Sequence, residues 1–246
     1  LSTPSTDLWE PTPIALLQAR VITAISDGAD FSMSGMGASP TKSDIAAMLS
    51  SAIPLMQPLR VRFPSEHDSI VQAYYDSFES GKTDAEAIAA GGEKLHGVLR
   101  RLRTCADDDV LSDIGAIYAD QYNALGSKSP ALCYRYASGV GPAVSPSEIP
   151  DALIAKEDAA NRRVIETAAI RVVADATTSE GLWKKIGTVL TTKGIKTEQF
   201  DLLSAVDIPP DRHGDYCTVM TMLFREISKL PRREAGILMR DLLADK

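Results

Sequence analysis

Three histidines, three cysteines and a few clusters of carboxylates are the side chains in these 246 residues with the chemistry for acid–base, nucleophilic or metal work. His67 lies in Glu66-His67-Asp68, and His213 lies two residues from both Asp211 and Asp215. An imidazole among carboxylates is the pairing that a general base or a metal site uses. The spacing argues against both. Adjacent positions on a helix point in different directions, and acids in a first turn serve the helix dipole. A spacing of two is likewise not a helical metal face, and Asp211 is placed to cap the helix that follows Pro209-Pro210. Neither HExxH nor CxxC occurs. Glu93-Lys94-Leu95-His96 has the Glu-x-x-His spacing of di-iron bundles, but that chemistry needs a second copy and two further glutamates.

Phosphate chemistry finds no footing either. Ser34-Gly35-Met36-Gly37 is neither a Walker loop nor a dinucleotide fingerprint, and no strand precedes it. No Gly-x-Ser-x-Gly elbow is present. The sequence therefore assigns no catalytic, cofactor-binding or metal residue and no cofactor. If a pocket opens between helices, His67, His96 and Tyr134 are the positions to inspect first. Basic residues gather at Arg100, Arg101 and Arg103 and at Arg232 and Arg233, each within a turn of acidic ones, and read as solvated helix ends. With 26 Lys and Arg against 33 Asp and Glu, the net charge of −7 has the wrong sign for a nucleic-acid partner.

Cys105, Cys133 and Cys217 are too few and too far apart for a zinc cage or a disulfide framework, and read as buried thiols. Cys105 and Cys133 are the nearest pair in sequence. A helix of about 17 residues between them would span roughly 25 Å. Bridged Cα atoms lie within about 7 Å, so that pairing requires a bent or broken helix.

The elements that would position these residues are helices throughout. Ile14, Leu17, Val21 and Ile25 form one apolar stripe from Pro13 to Gly28, and Phe31 to Pro40 reads as a loop. Thr41 and Ser43 offer caps for a helix carrying Ile45, Met48, Leu49 and Ile53. Leu55 to Pro64 is the one stretch with an extended pattern, because Leu59, Val61 and Phe63 alternate with Arg60 and Arg62. Ser65 is expected to cap a helix through Phe78, and Thr83 another reaching Cys105, where Gly91-Gly92 predicts a kink or a close helix crossing. Asp107 opens a helix that Gly126 is expected to end, and Ser129-Pro130 begins a short one. After the Gly-, Pro- and Ser-rich stretch 138–150, a long central helix is expected from Pro150 to about Thr177. Further helices are expected over Leu182 to Leu190, Phe200 to Val206, Asp211 to Ser228 and Pro231 to Leu243. The expected fold is all-α, an irregular bundle of about nine or ten helices. Residues 1–12 are expected to form a flexible lead-in and 13–246 a single domain, with 138–150 as the candidate subdivision.

No window of about 18 apolar residues occurs, so this segment is expected to be soluble and not to insert in a membrane. The first residue is Leu, not Met, which reads as a processed or excised chain. Pro130-Ala131-Leu132-Cys133-Tyr134-Arg135-Tyr136 resembles a Pro-x-Leu-Cys-Tyr run of uncharacterised α-helical regions that follow a membrane anchor in bacterial proteins, and the close from Leu230-Pro231 to Leu243 is similar in style to their ends. That resemblance implies a binding or scaffolding role outside the cytoplasm, with an unknown protein partner, and those regions have no assigned activity to carry over. A cytoplasmic interaction or regulatory protein is the alternative, and an enzyme or ligand carrier with an inter-helix pocket the third.

Overall fold

In a computed structural model, residues 40–139, 144–169, 176–205 and 207–243 are described. The expected helix from Pro13 to Gly28 and nearly all of the loop after it lie outside these residues. Eleven α-helices, joined by short 3-10 turns, make up the described part, and no strand occurs among its residues. The all-α class is thus observed.

Local chemistry explains four of the helix starts. Thr41 begins α1 (Lys42–Ala52) with a reciprocal box, its hydroxyl accepting from the Asp44 amide while the Asp44 carboxylate accepts from the Thr41 amide at 2.8 Å. Thr83 and Glu86 repeat the device at α4 (Asp84–Thr104). Proline occupies the first position of α3 (Pro64–Glu79) and of α6 (Pro130–Ser138), where a missing N–H costs nothing. Phe63, not Ser65, precedes the first of these. Ser129 caps the second, and Gly139 ends it at φ 71°.

Two expectations are corrected. The extended stretch is helix α2 (Met56–Arg62). Leu55, Leu59 and Phe63 also recur at i, i+4, and with no partner strand the helical period wins: Leu59 is buried and Val61 is left 73% exposed. The long helix after the crossover is α7 (Asp151–Thr167), which stops at Ala168 (φ −54°, ψ 122°). There tertiary hydrogen bonds replace the helical ladder: the Ala169 amide donates to the Cys105 carbonyl at 3.0 Å, and Arg62 donates to the carbonyls of Glu166 and Ala168. The next helix, α8, covers Ala176–Thr192, followed by the single turn α9 (Thr197–Phe200), α10 (His213–Ser228) and α11 (Arg232–Leu243).

The central position belongs instead to α5 (Asp108–Lys128), which runs through Gly126 and packs on α6, α7, α10 and α11. Its Tyr118 and Tyr122 meet Phe224 of α10, with ring centroids 5.5 and 5.6 Å apart, while Gly126 lies against Cys217. Rising residue numbers on α5 face falling ones on α10, so the pair is antiparallel. The Gly91 crossing is also observed: the Tyr74 ring of α3 lies where a Gly91 side chain would begin. Buried side chains from Ile45 of α1 to Leu243 of α11 form one continuous apolar cluster. Among the described residues no helix is long and apolar enough to cross a membrane.

Candidate functional site

The positions singled out for inspection do not meet in one place. His67 is buried on α3 with Nδ1 3.0 Å from the Asp68 carboxylate, which is itself 79% exposed. His96 is half-buried on α4. Tyr134 does find a histidine, but it is His213: their rings stack 3.9 Å apart, 18° from parallel, with Tyr216 edge-on to Tyr134. His213 Nε2 lies 3.0 Å from the Ile208 carbonyl, which can only accept, so Nε2 donates there and Nδ1 is buried without a partner. Neither ring nitrogen meets a carboxylate. Asp215 accepts from Arg212 Nε at 2.8 Å and from Gln199 at 3.1 Å, so no carboxylate activates the imidazole. Among the described residues no three His, Cys, Asp or Glu side chains converge in a metal-binding group.

Arg103 departs from its expected place at a solvated helix end. It is 1% exposed, and its guanidinium donates to the Tyr118 hydroxyl at 2.5 Å and to Asn161 Oδ1 at 2.6 Å, with Glu157 3.6 Å away. Glu157 also accepts from Gln121 at 2.7 Å. A buried cation is tolerated only with such partners, and these tie α4 to α5 and α7. Its sequence neighbour Arg101 does sit at the surface, paired with Glu66 at 2.7 Å. Arg232 bridges to Asp113 at 2.6 Å, and Asp113 accepts from Arg163 at 2.7 Å as well. Burial pushes the Asp113 carboxyl up, but the two guanidiniums outweigh it and hold the group below the usual carboxylate range.

Two cysteines meet, and they are not the pair nearest in sequence. Cys133 of α6 is bonded to Cys217 of α10, Cα atoms 6.1 Å apart, and Cys105 is free and half-buried. α5 runs straight between Cys105 and Cys133, which separates them, whereas the return of α10 antiparallel to α5 brings Cys217 to the start of α6. Tyr134 and Tyr216, each next in sequence to one of these cysteines, make the ring contact described above.

Above this disulfide the α5–α10 groove opens into a cleft of about 410 Å³, within the range of small-ligand sites. Its α5 wall is Tyr122, Asn123, Gly126 and Ser127, and Pro130 closes one end. The α10 wall is Gly214 and Cys217, then Thr218, Thr221, Met222 and Arg225. The last four stand at i, i+3, i+4 and i+7, one face of a helix, so the face itself was readable from the sequence. A face mixing Thr, Met and Arg reads as ordinary solvated surface, and only the packing of α5 alongside makes it a wall. Comparisons with family profiles, with curated proteins and with solved structures return no match. The reading of the cleft rests on its own geometry.

Proposed function

We propose that this chain is a non-catalytic helical binding domain of an exported or membrane-tethered bacterial protein, with the α5–α10 cleft as its binding face. The Cys133–Cys217 bond carries the reading: disulfides form and persist in oxidising compartments and are rare where thiols are kept reduced. Both sulfurs belong to the core, Cys133 at 0% and Cys217 at 5% exposure, which suits a structural bond more than a reactive one. The resemblance of the Pro130 to Tyr136 run to helical regions beyond a membrane anchor points the same way. A binding role is supported by a cleft whose rim holds polar side chains with no partner of their own, and the acidic net charge of −7 directs the search to protein or small-molecule partners.

The test is a thiol count on protein recovered from its native compartment and denatured without reductant. One free thiol, mapped to Cys105 by mass spectrometry, with three after reduction, is the expected result. Three free thiols before reduction would remove the oxidising compartment and leave a cytoplasmic interaction protein.

A further inference from the structure

We infer that the cleft accepts a linear monocarboxylate lying along α10 with its carboxylate on Arg225, an assignment that rests on the cleft being the binding face. From Gly214 to Arg225 the groove follows α10 for about 16 Å, so its occupant is elongated. The two ends differ in chemistry. At one end Gly126 and Gly214 present no side chain, and Pro130 and the Cys217 side of the disulfide add apolar surface. The hydroxyls beside that end have spent their hydrogens, Thr218 on the Gly214 carbonyl at 2.8 Å and Ser127 on the Asn123 carbonyl at 2.8 Å. They offer only lone pairs to an occupant.

Uncommitted donors gather at the other end. Phe224 faces Tyr122, which sets Asn123 of α5 level with Arg225 of α10. Thr221 lies one turn before Arg225 and is 8% exposed. Among the described residues the side chains of Asn123, Thr221 and Arg225 make no hydrogen bond or ion pair, whereas Arg212, Arg232 and Arg240 each hold a carboxylate. The adjacent Glu226 does not neutralise Arg225, because its carboxylate is taken by Lys229 at 2.7 Å and Lys193 at 3.4 Å. No carboxylate lines the cleft. A guanidinium fork flanked by an amide and a hydroxyl matches a carboxylate in shape and in donor number. Its single positive charge balances one negative charge, and a phosphate monoester, at about −1.5 to −2 near neutral pH, would remain partly uncompensated.

Titration of the full, oxidised chain with octanoate, followed by calorimetry and by amide shifts in NMR spectra, tests this. Saturable binding with shifts centred on Thr221 to Arg225 is expected, weakened about tenfold or more by Arg225→Gln or when octanamide replaces octanoate. Arg225 is exposed, so its variant should fold; Thr221→Val, which keeps the shape and removes one donor, provides a second, smaller loss. No saturable binding, binding that Arg225→Gln leaves unchanged, or tighter binding of octyl phosphate than of octanoate would overturn the assignment. Any of these in protein that still shows one free thiol removes the ligand while leaving the exported-domain reading in place.

Discussion

Gly91 and Gly97 share α4 and should answer opposite ways to the same substitution. A Cβ on Gly91 enters the Tyr74 ring, whereas a Cβ on Gly97 meets nothing within 4 Å. Gly91→Ala is expected to cost about 1–3 kcal/mol through overpacking, and Gly97→Ala to stabilise by up to about 1 kcal/mol through helix propensity. Denaturant unfolding of the two variants checks both signs. The neighbouring arginines give a second contrast. Removing buried Arg103 strands the Asn161 oxygen in the interior and takes the cation from beside Glu157, so Arg103→Ala should cost about 3–5 kcal/mol, while Arg101→Ala, which breaks an exposed pair with Glu66, should cost under about 1 kcal/mol. Equal costs in an unfolding series would show that the buried network contributes nothing beyond surface pairing. Both arginines look alike in Arg100-Arg101-Leu102-Arg103, because a four-residue window cannot say which side of a helix a neighbour will cover.

Helix α7 ends where another helix reaches it. Arg62 of α2 donates to the carbonyls of Glu166 and Ala168, so Arg62→Ala should leave those acceptors to water and fray the last turn of α7. Faster amide hydrogen exchange over Val164 to Ala168, with a loss of about 0.5–1.5 kcal/mol, is the expected outcome, and unchanged exchange would show that the helix stops for a local reason. Asp113 ties α5 to α7 and α11 through Arg163 and Arg232. Its pKa is held below the unfolded value, so its contribution to stability is present above the unfolded carboxylate range and is lost as pH falls through the lower folded value. In Asp113→Asn the decline of stability below about pH 4 should therefore be shallower than in the native chain. The contribution is small, because the Asp113 side chain is 36% exposed and solvent screens the pairs.

At the scale of the whole molecule the disulfide ties α6 to α10 across a long stretch of chain. Its cysteines are 84 residues apart, a loop for which chain entropy predicts roughly 4–5 kcal/mol, above the typical measured range of about 2–4 kcal/mol. Cys217→Ala should lower the thermal midpoint by roughly 5–15 °C at unchanged helix content, read by circular dichroism with and without reductant. A native chain whose midpoint ignores reductant would show that the bond does not constrain the unfolded state.

Helical class and several helix starts were legible in the sequence alone. Thr41 with Asp44, Thr83 with Glu86 and Pro130 after Ser129 are local devices, complete within three or four residues, and periodic apolar positions such as Val110, Ile114, Ile117 and Tyr118 mark a buried face without reference to any partner. What depended on distant residues was decided only by tertiary structure. The end of α7 needed Arg62 and Cys105, the burial of Arg103 needed Asn161, and the Cys133–Cys217 bond needed α10 to return antiparallel to α5. The cleft has the same origin. Asn123, Thr221 and Arg225 are polar helix positions until two helices set them at one end of a shared cleft, and no local pattern records which helices will lie side by side.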